Sequence, residues 1–385
     1  MLNFEFHNPT RIVFGQGKVA DLARLVPAQA RVLVLYGGES ARRTGTLDEV
    51  RAALGERSVS EFGGIEPNPS YETLMRAVAQ VRAENIDYLL AVGGGSVIDG
   101  TKFVAAAACF DGEPWDILLQ RGRNVQRALP LASVLTLPAT GSEMNNGGVV
   151  TRKATQAKLS FSSVHCFPQF SVLDPTKTYT LPPAQIANGL VDAYVHVMEQ
   201  YLTYPVQARP QDRFAEGLLQ TLVEIAPGAL AEPPDYDHRA NLMWTATLAL
   251  NGLIGAGVPQ DWATHMIGHE LTALYGIDHA RTLAIVLPSL MQSQRAAKRD
   301  KLLQYAERVW HVSGGTEDER IDAAITHTRA FFESVGIPTR LSAYGLGREA
   351  VDAVVAQLTA HGMLKLGEHR SITPEVSRAI LEAAL

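Results

Sequence analysis

Cysteine is scarce in this 385-residue chain: there are two, Cys109 and Cys166, each in an apolar or mixed run with no second cysteine nearby. That pattern excludes a disulfide framework and leads one to expect a reducing compartment. No run of lysine and arginine stands out, and the formal net charge is −6. Nucleic-acid binding relies on a basic patch or stripe, so nucleic acid is set aside as a partner. No apolar stretch reaches the ~18 residues of a membrane span, so no membrane partner is expected. The first residues, MLNFEFHNPTRIVFG, lack the basic segment and apolar core of a secretory signal. Internal repeats and low-complexity linkers are also missing. A cytoplasmic, soluble enzyme or binding protein is the class that remains.

What the chain does have is apolar material, 46% hydrophobic against 19% charged residues, enough for large buried cores. Its length suits two domains of ~100–200 residues each. RVLVLYGG (31–38), YLLAVGGGS (88–96) and LASVLTLPATGSE (131–143) are continuous apolar strands ending in small residues. YETLMRAVAQVRAEN (71–85) has apolar residues at helical spacing. Strands apolar on both faces, separated by helices, predict a parallel sheet covered on both sides. Beyond LDPTKTYTLPP (173–183) the pattern turns helical, with runs at 184–202, 212–230, 238–257, 262–276, 299–310, 320–336 and 374–385. The expected organisation is an α/β dinucleotide-binding domain over 1–182 and an all-helical, metal-binding domain over 183–385. The boundary lies at Pro182–Pro183, where two prolines end one structure and start a helix.

Two of the strand ends carry glycine clusters. Gly93-Gly94-Gly95-Ser96 ends a strand and opens a helix that contains Asp99 and Lys102. Glycines admit a pyrophosphate close to the backbone, and the helix N-terminus offers free N–H groups and partial positive charge. Any tight turn can also use such a cluster, but its place at the carboxyl end of a parallel strand favours a nucleotide. Gly37-Gly38 ends the first clear strand, followed by Glu39, Ser40 and Arg42-Arg43. The residue after such a strand commonly separates NAD from NADP. An ordinary strand–helix turn is the other reading.

The C-terminal half supplies a possible metal site. Asp192 and His196 lie one turn apart on one helix face, and His265 and His269 repeat the spacing on a later helix. His279 follows a turn at 276–278. Imidazoles with a carboxylate suit Zn²⁺ or Fe²⁺. An Asp–His pair one turn apart also serves as a surface ion pair, so spacing alone leaves both open. The apolar neighbours Val191, Val195, Val197, Met266 and Ile267 speak for a buried site. HMIGH has the histidine spacing of a zinc-protease helix but carries Met266 where the general-base glutamate is required, which removes a hydrolase.

GGGSVIDGTK, TLPATGSE, NGLVDAYVHVMEQY and WATHMIGHELTALYGIDHARTLAIVLP together resemble the iron-containing (group III) alcohol dehydrogenases along the whole chain. FGGIEPNPSYETLM and KLLQYAERVW resemble the butanol dehydrogenase and NADPH-dependent aldehyde reductase branch. The resemblance implies NADP(H) and one divalent metal, Zn or Fe, in a homodimer acting on a small aldehyde or primary alcohol. It places the metal ligands on Asp192, His196, His265 and His279, and a catalytic histidine, not a ligand, on His269. Cofactor contacts fall on Gly37, Gly38, Ser40, Asn68, Gly94, Gly95, Ser96, Asp99, Thr136, Thr140, Ser142, Val149, Lys158 and Leu181. Gly38 stands where NAD-specific relatives carry an aspartate. The implied chemistry is hydride transfer to a carbonyl polarised by the metal, His269 or a linked water supplying the proton. An NAD-dependent polyol dehydrogenase of the glycerol type and a non-redox lyase like dehydroquinate synthase remain as alternatives.

Two departures matter. Close NADP-dependent relatives often read GGGS at 37–40, where this chain reads GGES. A Glu39 facing a 2′-phosphate would weaken NADP binding by ~1 kcal/mol at an effective dielectric near ~20; a solvent-facing Glu39 would not. Arg281-Thr282 replaces the small residues that many relatives carry after His279, which bears on substrate size.

Overall fold

Val32, Val34 and Tyr36 alternate with Leu33 and Leu35 along one strand, and all five are buried. Successive side chains of a strand point to opposite faces, so this sheet is covered on both sides. The computed structural model describes residues 1–385. Its strands are β1 (Arg11–Phe14), β2 (Arg31–Tyr36), β3 (Ser58–Phe62), β4 (Tyr88–Gly94), β5 (Leu131–Leu137), β6 (Gly147–Arg152), β7 (Ala157–Ser162) and β8 (Phe170–Leu173). Six form a sheet in the order β1-β8-β5-β4-β2-β3, every neighbouring pair parallel. Strands β6 and β7 form a separate antiparallel hairpin. On one face Leu33, Leu35, Leu89 and Ala91 pack with the helices Tyr71–Ala83 and Gly95–Ala108; on the other, Val32, Val34, Leu90 and Val92 pack with Leu22, Leu47 and Val50.

The strand order reverses at β2/β4. Chain progress from β2 to β3 runs outward on one side, and β4 returns to the other side of β2. In open parallel sheets ligands bind at such a switch point, beyond the carboxyl ends of the strands. Gly37-Gly38 and Gly94-Gly95 sit at those ends.

The chain divides into two compact units. One comprises His7–Pro182 and Pro234–Thr247; the other comprises Met1–Phe6, Pro183–Pro233 and Leu248–Leu385. The α/β unit thus includes a helical segment from the later half of the chain. Side chains hold it there: Arg239 donates to the Thr178 carbonyl (2.6 Å), Trp244 meets Phe14 edge-on, and Thr247 donates to Glu143.

The second unit is built of helices. Pro183–Tyr201 is buried on every side from Ile186 to Tyr201. Ala263–Tyr275, His279–Ser293, Arg348–Ala360 and Pro374–Glu382 share a core that includes Ile267, Leu271, Ile285, Val286, Val354 and Leu381. The helical periodicity expected over 238–257 ends early, with the helix Tyr236–Ala249. Gly252 at φ +90° and Gly257 at φ +72° take backbone conformations that a helix cannot hold. No helix is long and apolar enough to cross a membrane.

Candidate metal centre and cofactor site

Asp192 and His196 project from one stripe of the Pro183–Tyr201 helix, and Glu199 follows on the same stripe. His265 and His269 lie one turn apart on Ala263–Tyr275. That helix stops at Gly276, whose φ of +67° gives a left-handed C-cap. Asn188 Nδ2 donates to Asp278 Oδ2 (3.0 Å), which ties the 276–278 turn back to the helix of Asp192. His279 then opens the helix His279–Ser293.

The result is a donor cluster, buried apart from the half-buried His279. Asp192, His196, His265 and His269 are at most 6% exposed. Donor atoms of Asp192, His265 and His279 lie within 4.8 Å of one another. Asp192 Oδ1 is 3.8 Å from His196 Nδ1 and 3.8 Å from His279 Nε2, and the Nε2 atoms of His196 and His265 are 3.1 Å apart. Ligands of one tetrahedral ion, each at ~2.0–2.2 Å, stand about 3.4 Å apart. Asp192 Oδ1 is buried and receives no hydrogen bond. His269 packs against the cluster, its ring centroid 6.0 Å from that of His265 and 5.1 Å from that of His279.

Glu199, which the sequence analysis did not single out, completes the arrangement. Its carboxylate pairs with His265 Nδ1 and accepts from the His265 backbone N–H (3.1 Å). A polar residue three positions beyond His196 on a buried helix was the available signal. Arg281 is held by Asp278 (3.7 Å). Two positions beyond His279 on the helix, it faces a different side from that histidine. Thr282 donates to the His279 carbonyl (2.7 Å).

In the α/β unit Gly37, Gly38, Gly94, Gly95 and Ser96 lie at strand ends of the parallel sheet, while Val149 and Lys158 lie on the β6–β7 hairpin. The Gly95–Ala108 helix has no side-chain cap at its N-terminus, so its first N–H groups remain for an anion. A Cβ on Gly95 would collide with the Thr140 side chain, and one on Gly94 would lie 2.9 Å from Leu137 Cβ. Ser96 Oγ accepts from the Asn68 N–H (3.3 Å), and Lys158 Nζ donates to Asn68 Oδ1 (2.8 Å). Asp99 accepts from Ser142 Oγ (2.6 Å) and from the Val149 N–H (2.9 Å). Thr140 Oγ1 accepts from the Ser142 N–H (3.2 Å). Thr136 lies near the end of β5, and Leu181 lies in a turn, donating its N–H to the Thr178 carbonyl.

Glu39 is an exposed partner of Arg42 (3.6 Å), and Arg42 also donates to Tyr36 Oη (2.6 Å) and Glu61 (3.3 Å). The acid is therefore matched by a neighbouring cation. Beside Gly38 no atom lies within 4 Å of where a Cβ would stand. The 37–40 turn also holds Gly37, whose carbonyl accepts from the Gly64 N–H, and Ser40, which opens a short helix.

Lys102 lies inside this unit, fully buried. Its ammonium donates to Ser142 Oγ (2.9 Å), Asn145 Oδ1 (2.9 Å) and the Gly147 carbonyl (2.7 Å), pinning the 142–147 loop. Burial lowers it to about 8, with Asp99 opposing the shift.

Models of two families match consecutive parts of the chain: the iron-containing alcohol dehydrogenase model over residues 9–175, and the Fe-containing alcohol dehydrogenase C-terminal model over 186–385. The chain belongs to the iron-containing alcohol dehydrogenase family. Among its relatives in this family is the NADPH-dependent aldehyde reductase YqhD of Escherichia coli, 61% identical with both chains fully covered. Another is the probable NADH-dependent butanol dehydrogenase 1 of Bacillus subtilis, 41% identical, again over both full chains. The substrate- and cofactor-free structure of YqhD superposes with a TM-score of 0.94 at 59% identity, covering all of both chains. NADH-dependent butanol dehydrogenase A of Thermotoga maritima gives 0.95 at 34% identity, covering 100% of this chain and 99% of that one. As an iron-containing alcohol dehydrogenase, the chain has the parallel sheet and the helical C-terminal part read from its sequence.

Proposed function

We propose that this protein is a metal-dependent, NADPH-linked aldehyde reductase, converting a small aldehyde to its primary alcohol. The carrying observation is the buried convergence of one carboxylate and three imidazoles from three helices. Asp192, His265 and His279 offer donor atoms within 4.8 Å of one another, His196 Nε2 lies 3.1 Å from His265 Nε2, and nitrogen and oxygen donors of this type take Zn²⁺ or Fe²⁺. Asp192, His196, His265 and His279 are the ligands in this reading. When bound, such an ion supplies Lewis acidity to a carbonyl oxygen, and NADPH supplies the hydride.

The chain's own residues do the rest. The free N–H groups of the Gly95–Ala108 helix receive the pyrophosphate, with Gly94, Gly95 and Ser96 allowing close approach. Asp99, Thr140 and Ser142, joined by hydrogen bonds, and Asn68 with Lys158 hold the cofactor's shape; Thr136, Val149 and Leu181 line it. Gly37, Gly38 and Ser40 leave room for a 2′-phosphate, which favours NADP over NAD. His269, buried beside the ligand cluster, delivers the proton that accompanies the hydride, directly or through water. Aldehyde, NADPH and one proton give alcohol and NADP⁺. The homodimeric, cytoplasmic setting implied by the family resemblance belongs to the same proposal, and sedimentation checks the assembly.

The test is absorbance at 340 nm. Steady NADPH consumption with butanal, abolished by EDTA and restored by Zn²⁺ or Fe²⁺, is the expected result. No consumption with any simple aldehyde in a metal-replete sample would overturn the proposal and favour a lyase.

A further inference from the structure

Glu199 is no ligand in this reading, yet it contacts His265 twice. One carboxylate oxygen accepts from the backbone N–H of His265 (3.1 Å), and the other meets Nδ1 of the ring. The opposite ring nitrogen, Nε2, lies 3.1 Å from His196 Nε2, within the donor cluster. We propose that Glu199 is the positioning residue of the metal centre. It keeps the imidazole proton of His265 on Nδ1, so that the Nε2 lone pair points to the ion. This inference rests on the assignment of His265 as a ligand.

The carboxylate can do this because its own place is fixed. Glu199 shares its helix with Asp192 and His196, so one rigid element carries two ligands and the group that orients a third. The Glu199 carbonyl accepts from the Asp261 N–H (2.8 Å). Asp261 in turn accepts from the Ala263 N–H (2.9 Å), at the start of the helix that carries His265. Lys298, buried, lies 2.9 Å from the other Asp261 oxygen and donates to Glu368 (2.7 Å) and to the Leu202 carbonyl (2.8 Å). The beginning of the His265 helix is thereby anchored to Glu199 and to the residues behind it. A carboxylate or carbonyl behind a ligating histidine sets the ring tautomer and raises its basicity.

Glutamine at this position separates orientation from packing. It has nearly the same shape but one oxygen instead of two. If that oxygen keeps the backbone N–H of His265, the amide nitrogen faces Nδ1. Nδ1 must then accept, the proton moves to Nε2, and the lone pair leaves the centre.

The experiment uses full-length protein stripped of metal, with Co²⁺ as the probe. Its visible d–d spectrum reports coordination, and chelator competition reports Kd. The variants are Glu199→Gln, Glu199→Asp and His265→Ala. Expected for Glu199→Gln are a Kd weaker by roughly 10–100-fold, an altered spectrum and a metal-free melting temperature like the parent's. Glu199→Asp should recover part of the affinity. Parent-like Kd and spectrum in Glu199→Gln overturn the inference alone, provided His265→Ala loses Co²⁺. Weaker binding matched by an equal loss of metal-free stability also overturns it, since that marks a packing role. A parent that binds no Co²⁺ sinks both this inference and the ligand assignment.

Discussion

Asp192 Oδ1 lies 3.8 Å from His279 Nε2, although the two residues belong to separate helices, Pro183–Tyr201 and His279–Ser293. The gap is too long for a hydrogen bond and suits two ligands of one ion.

The first prediction follows from that gap. His279→Ala should lose bound metal and reductase activity together. The loss of rate should be on the order of 10³-fold, the scale of several kcal/mol of lost transition-state stabilisation. The metal-free variant should melt as the metal-free parent does. Metal analysis after dialysis, with turnover on the same samples, checks both. Full activity without metal would contradict the ligand set.

Glu39 and Arg42 form the second. With Arg42 3.6 Å away, Glu39 is already balanced, so Glu39→Gly should change KM for NADPH by less than about twofold. Arg42→Ala leaves the acid unmatched and should raise that KM by roughly two- to fivefold, less so at high salt. The double variant should return near the parent. A tenfold fall in KM on Glu39→Gly alone would show that Arg42 does not screen it.

Gly95 and Gly38 should respond oppositely to a side chain. A Cβ at Gly95 runs into Thr140, a short β-branched side chain that cannot swing away. Gly95→Ala should therefore cost roughly 1–3 kcal/mol in denaturant unfolding and weaken NADPH binding in calorimetry. Gly38 faces open space, so Gly38→Asp should leave the unfolding midpoint unchanged. It should move the kcat/KM preference towards NADH by tenfold or more, because a carboxylate pairs with a ribose hydroxyl and repels a 2′-phosphate. Loss of folding in Gly38→Asp would refute this account of the turn.

Lys102 yields a pH signature. Burial depresses it to about 8, below the ~10.4 of an unfolded lysine. Between these values the unfolded chain holds the proton more tightly than the folded one. Stability contributed at this site is thus fully present above the unfolded value and lost as pH falls towards 8. Relative to Lys102→Met, the parent should gain stability as pH rises from about 8 to ~10.4, by about 3 kcal/mol at most. Urea unfolding of both proteins across that range measures it; parallel curves would place the lysine's titration elsewhere.

Much of the fold was legible because it rests on local periodicity. β2, β4 and β5 announced themselves as continuous apolar runs, and a strand buried on both faces leaves no other pattern. The glycines at the ends of β2 and β4 were equally visible as clusters, though a Cβ is excluded at Gly94 and Gly95 and not at Gly38. The end of the helix at Ala249 was less so: the apolar spacing continues, and the break lies in the backbone angles of Gly252 and Gly257.

For the site, the sequence by itself determined which side chains share a helix face, because a 3.6-residue turn places Asp192 beside His196 and His265 beside His269. Spacing cannot say what a face meets. Only the tertiary structure decided that Asp192 faces His279 and that Glu199 stands behind His265. These are contacts between residues distant in the chain or governed by side-chain reach. Helix packing, not sequence position, sets those distances, and at the metal centre differences of about an ångström separate a hydrogen bond from a pair of ligands.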